Sequence, residues 1–117
     1  MKYKFSLNPY EQKNIPIKYY GLNLDALASD EWALRGMSWW DWTPEEIQRI
    51  IDKAKYLIDD QIFEYQVEGS DLIIYVYIDE VHFFDAYSEQ EEADLIWTFE
   101  KFIDFMEQFK AFVAENS

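Results

Sequence analysis

Residues 72–78 read Leu72-Ile73-Ile74-Tyr75-Val76-Tyr77-Ile78, and the reading of this run decides the fold. Its seven consecutive β-branched, aliphatic or aromatic residues are too few to cross a membrane and too β-prone for a helix. A central strand is predicted. Upstream, Phe63, Tyr65 and Val67 alternate with Glu64, Gln66 and Glu68, the period-two pattern of a strand with one wet face. Gly69-Ser70 lies between the two runs, where glycine frees the backbone to turn, so a hairpin is expected. Downstream, Val81 to Tyr87 prolongs the β-prone stretch, and residues 71–87 predict either one bent strand or two.

The same region concentrates the charge. From Tyr56 to Glu100 there is no Lys or Arg, against thirteen Asp and Glu, in a chain of net charge -14. Residues 1–20 hold four lysines and one glutamate, a net of +3, which leaves -17 on the remainder. A field of that sign repels nucleic acid and anionic lipid and steers cationic proteins inward. The expected partner is a cationic protein, with no direct nucleic acid and no membrane. At 117 residues the chain reads as a single α+β domain, 1–117, able to bury about two-thirds of its unfolded surface without disulfide or metal. A fifth of the residues are aromatic, which sets an acidic core-former apart from a disordered acidic chain. There is no cysteine, the N-terminal residues lack a signal-peptide core, and no run is apolar enough to span a bilayer, so a cytoplasmic location is expected.

Around the hairpin the chain alternates helical and extended signals. Tyr3, Phe5 and Leu7 alternate with Lys2, Lys4 and Ser6 and predict an edge strand stopped at Asn8-Pro9. Residues 10–22 show no period, and Pro16 and Gly21 suggest an irregular connection. Asn23 or Asp25 can cap a helix carrying Leu24, Leu27, Trp32 and Leu34 to Gly36, with a break near Ser29. Thr43-Pro44-Glu45-Glu46 is a helix start with Thr at the cap and Pro at the first position, followed by Ile47, Ile50, Ile51, Ala54, Leu57 and Ile58 on one face. Asp59-Asp60 then places negative charge at the negative end of that helix, a misfit worth about 0.3–1 kcal/mol per residue. Ser88-Glu89-Gln90-Glu91 resembles a second capping box, opening a long helix with Leu95, Ile96, Phe99, Phe102, Ile103, Met106, Phe109 and Val113 on its stripe. Phe105 and Phe112 fall off that stripe and are expected to be partly exposed. The predicted architecture is an antiparallel sheet of three to four strands with two long amphipathic helices packed on one face.

No catalytic set emerges. His82 is the only histidine, and strand alternation separates Glu80 and His82 from Asp79 and Asp85, leaving too few ligands for a metal. None of the six serines sits in a Gly-flanked elbow, and three glycines make no phosphate loop. No enzyme, cofactor or metal is expected. Trp39-Trp40-Asp41-Trp42 is the most unusual local composition, its tryptophans divided between core packing and an exposed binding anchor. The acids could be a solvated face, but such faces usually mix both signs. Tyr75, Tyr77 and Asp79, beside Glu64 and Glu68, suit Lys- and Arg-rich surfaces through charge-assisted hydrogen bonds and cation–π contacts.

A small, acidic, cysteine-free α+β chain of this kind resembles the immunity proteins of bacterial toxin systems, such as contact-dependent inhibition. The resemblance is one of class, carried by size, charge and the acidic Glu64–Glu92 stretch. It implies neutralisation of a cognate cationic toxin domain, often a nuclease, by a monomer or weak homodimer in the producing cell's cytoplasm. The residues expected to meet that partner are Glu64, Glu68, Asp71, Tyr75, Tyr77, Asp79, Glu80 and Asp85, with Trp39 and Trp40. Two other readings remain: a nucleic-acid-mimicking inhibitor of a defence enzyme, and an adaptor subunit that oligomerises through Trp39, Trp40, Phe105 and Phe112.

Overall fold

The computed structural model describes residues 3–9, 18–85 and 92–117. β1 (Phe5–Pro9) and β2 (Lys18–Leu22) form an antiparallel ribbon, with Phe5 opposite Leu22 and Leu7 opposite Tyr20. β1 continues through Asn8-Pro9, where a stop was expected. A two-stranded ribbon leaves β1 one edge without a strand partner, which tolerates the missing N–H of proline. β2 replaces the irregular chain expected up to residue 22, while residues 10–17 lie outside the described ones. Gly21 belongs to close packing within that strand, because a Cβ there would stand 2.6 Å from Ser38 Oγ and 3.0 Å from Ser38 Cα. Beside it, Tyr20 and Trp39 exchange backbone hydrogen bonds of 3.0 and 3.1 Å.

The helix expected from Asn23 to Gly36 is two 3-10 helices, Leu24–Ala26 and Ser29–Met37. Asn23 Oδ1 accepts from the Asp25 N–H at 3.1 Å, a local side-chain bond that competes with helix propagation. α1 (Pro44–Lys55) starts as expected, with Thr43 Oγ1 accepting from the Glu46 N–H at 3.1 Å. Its buried face is Ile47, Ile50, Ile51 and Ala54. It stops before Leu57 and Ile58, so Asp59 and Asp60 do not oppose its dipole. Asp59 instead takes φ 53° in a turn closed by Gln61 N–H to Ile58 O at 3.1 Å, a conformation that Asp tolerates better than most residues.

Four strands follow: β3 (Phe63–Gln66), β4 (Leu72–Val76), β5 (Glu80–Asp85) and β6 (Leu95–Thr98). They form an antiparallel sheet in chain order. Gly69, at φ 73°, makes the first turn, and Tyr77 N–H to Glu80 O at 2.8 Å closes the second. The stretch after Gly69-Ser70 is therefore two strands, β4 and β5.

β6 overturns the long helix expected from Ser88. The capping-box residues Ser88–Glu91 lie outside the described ones, but residues 95–98 pair with β5 and put Ile96 on an exposed face. β-Branched and aromatic side chains at 96–98 suit a strand, and the open edge of β5 supplies backbone partners that outweigh the helical period. α2 (Phe99–Asn116) begins only after Thr98, whose Oγ1 accepts from the Lys101 N–H at 3.2 Å.

The core centres on α2. Its buried Phe102, Phe105, Met106, Phe109 and Val113 meet three layers. Phe102 meets Phe83 of β5, with ring centroids 6.1 Å apart, and Phe109 meets Trp42 at 5.4 Å. On the ribbon side, Phe5 meets Phe105 at 5.5 Å and Phe112 at 5.5 Å. Phe105 is therefore fully buried, contrary to the expected partial exposure, whereas Phe112 is half-buried, in line with it. A stripe read for one covering layer misses the second. The helical layer also differs from two helices laid on a sheet. α1 packs against α2, and the 3-10 helix Ser29–Met37 joins α2 on the sheet.

Candidate protein-interaction face

Register divides the four-stranded sheet into two faces. Residues directly opposite one another share a face. Phe63, Val76, Val81 and Trp97 form one inner row, and Tyr65, Ile74, Phe83 and Leu95 the next. The outer face carries the row Glu64–Tyr75–His82–Ile96, flanked by Gln66, Ile73 and Phe84 on one side and Glu80 and Thr98 on the other. The helices of the described residues pack on the inner face. The outer one presents aromatic and aliphatic side chains with carboxylates among them and, among the described residues, no Lys or Arg.

Ring contacts stiffen this surface. Tyr75 stands edge-on to Phe84, centroids 5.4 Å apart at 90°, and Tyr77 lies 4.8 Å from His82. His82 Nε2 is 2.9 Å from Glu80 Oε2, so the imidazole is held by the carboxylate on its own strand. Half-buried rings with fixed neighbours lose little side-chain freedom when a partner covers them.

The expected site residues fall into separate places. Glu64, Tyr75, Tyr77 and Glu80 gather on the outer face, with Asp79 at the adjoining turn. Glu68 and Asp71 lie at the opposite turn, about 17 Å away along the five residues of β4. Asp85 points to the inner side and is engaged internally. It pairs with Arg35 of the second 3-10 helix, and its own N–H donates to Asp94 Oδ2 at 2.8 Å. Trp39 packs edge-on against Trp42 at 5.1 Å, whereas Trp40 is 51% exposed. Among the described residues, none of Glu64, Glu68, Asp71 and Asp79 is in an ion pair.

Three members of the face escaped the sequence reading. The sequence offers His82 only as a catalyst or metal ligand and does not single out Phe84, although alternation from Tyr75 across a second hairpin points to both. Ile96 was hidden by the helical period assigned to its segment. For a metal the arrangement offers little, since the described residues contain no cluster of three or more His, Asp or Glu able to hold one. Nor is any described helix long and apolar enough to cross a membrane. No protein-family model, curated protein or solved structure matches the chain.

Proposed function

We propose that the protein is a non-catalytic binding module that receives a cationic protein on the outer face of its sheet, in the manner of an immunity protein neutralising a toxin domain in the cytoplasm. The observation that carries this reading is the row Glu64–Tyr75–His82–Ile96 with Glu80 beside it. It is a surface of aromatic and aliphatic side chains with carboxylates, without Lys or Arg among the described residues, in a chain of net charge -14. Apolar contact with the tyrosines and isoleucines provides slow dissociation, while the carboxylates accelerate encounter and exclude acidic partners. Of the alternatives, an adaptor that oligomerises through exposed aromatics is weakened because Phe105 is fully buried.

Association kinetics test the proposal, using the toxin domain that it expects to be encoded beside this gene. Converting Glu64, Asp79 and Glu80 to Lys should slow association roughly tenfold or more at low salt. The difference should shrink toward 0.15 M, where screening acts beyond about 8 Å. Reversing Asp30, Asp52 and Glu115 instead changes net charge equally and should matter far less. Equal loss in both triple variants would reduce the outer face to a solvated surface, and the absence of any adjacent toxin gene would sink the immunity reading.

A further inference from the structure

The second cluster of expected site residues borders a cleft. Trp39 is fixed through its backbone to Tyr20 of β2, and its ring stands edge-on to Trp42 at 5.1 Å and 81°. Trp42 is itself buried, with Nε1 donating to Met37 O at 2.7 Å. Trp40 and Asp41 occupy the turn between these two anchored tryptophans. With Tyr19 of β2 and Glu68 and Gly69 of the first sheet turn, they line a cleft of about 230 Å³. Drug-sized ligand sites typically span about 300–1,000 Å³, so this one suits a single long side chain.

Its lining combines two chemistries. Tyr19, Trp39 and Trp40 contribute aromatic rings, whose faces attract cations, tryptophan most strongly. Asp41 and Glu68 contribute two exposed carboxylates, and among the described residues no Lys or Arg lines the cleft. The exposed Trp32 makes a useful contrast, since the Arg35 guanidinium already lies 5.2 Å from its ring. No such internal cation stands over Trp39 or Trp40 among the described residues.

We propose that this cleft is a socket for one arginine side chain presented by the protein partner, its guanidinium stacked on Trp40 and hydrogen-bonded to Asp41 and Glu68. A planar five-donor fork matches an aromatic wall with two carboxylates better than the point charge of lysine does. The cleft is built before the ligand arrives, because Trp39, Trp42 and the helix cap at Thr43 hold both ends of the Trp40 turn. The socket rests on the reading of the protein as a receptor for a cationic partner, and it names a second contact away from the sheet's outer row.

The test uses indole N–H resonances of the full chain, titrated with Nα-acetyl-arginine methylamide. The neutral citrulline analogue and the lysine analogue serve as comparisons. The Trp40 resonance should shift saturably with the arginine probe and not with citrulline. Asp41→Asn with Glu68→Gln should weaken that response about tenfold or more, because charge-assisted bonds are lost. Unshifted resonances of buried Trp42 and Trp97 would show that this variant keeps its fold. An immobile Trp40, an equal response to citrulline, or a double variant that binds like the parent overturns the socket. Equal affinity for the lysine analogue overturns the guanidinium assignment. The comparison of arginine with citrulline needs no variant at all. The two proposals fail separately. The outer-face triple variant should leave the arginine titration unchanged; an arginine response in a protein whose partner association that variant does not slow breaks the first reading, and slowed association without an arginine response breaks only the socket.

Discussion

The inner and outer faces of the four-stranded sheet are built from the same strands, one residue out of phase. Inside, Ile74, Val76, Val81 and Phe83 have essentially no exposed surface, because α2 and the 3-10 helix Ser29–Met37 cover them. Outside, their immediate neighbours Ile73, Tyr75, His82 and Phe84 are only half-buried, and Ile96 is 52% exposed. Hydrophobic content alone does not separate these faces, since both hold aliphatic and aromatic residues. What separates them is charge and cover. Two of the three carboxylates within the strands, Glu64 and Glu80, fall on the outer phase. Asp85, at the end of β5, is the inner exception and has Arg35 as its partner. The inner face spends its apolar surface on folding, while the outer face keeps apolar surface in reserve beside uncompensated charge.

Adjacent phenylalanines offer the sharpest way to break that comparison. Phe83→Ala should cost roughly 3–5 kcal/mol, as should Phe102→Ala in the helix that covers it, because each empties a fully buried site. Phe84→Ala, one residue along the strand, should cost about 1–2 kcal/mol, since a half-buried ring loses less area and leaves no closed cavity. Urea melts of the two variants settle the matter. Equal destabilisation would make the outer face a second core and not a reserved surface.

A smaller effect is expected where strand becomes helix. Thr98 belongs to the outer phase opposite Glu80, yet its hydroxyl caps α2. Thr98→Ala should cost about 1 kcal/mol. Faster amide exchange at Lys101 should accompany it, with the outer-face residues Tyr75 and His82 unchanged. Retained protection at Lys101 would mean that the helix starts elsewhere.

The smallest effect comes from the edge of the inner face. Tyr65, at the β3 edge beneath Arg49, has its phenol pushed up to about 12, mainly by burial and then by the nearby Glu46 carboxylate. Its ordinary value is about 10, so above that pH the unfolded chain releases a proton that the folded chain holds. The contribution is complete below pH 10 and is lost as pH rises toward 12. Partial exposure of the ring keeps it small. A phenolate absorbance titration of the parent against Tyr65→Phe should differ only in the latest-ionising step. A difference at ordinary tyrosine pH would place Tyr65 in water and blur the two faces.

The α+β class, the β3–β4 hairpin and the start of α1 were legible in local order, because alternation, Gly69 and the Thr43 cap each act within a few residues. Alternation also assigned Glu64 and Tyr75 to one face before any partner strand was known. Less visible were β2, where Gly21 reads as a breaker until Ser38 is seen pressed against it, and β6, whose apolar spacing also fits a helix. The site residues split for the same reason. Glu68 and Tyr75 are seven positions apart in the chain, but opposite ends of one strand separate a turn from the face beside the other turn.

By itself the sequence determined the charge field, the phase of each strand and the helix cap at Thr43, since these depend on residue identity and short-range spacing. Only the tertiary structure decided that residues 95–98 extend the sheet, that Phe105 is core and that Trp40 stands at an open cleft. Each of those outcomes turns on which layer packs against a segment from far along the chain. The energy of that cover exceeds the fraction of a kcal/mol by which local propensities differ.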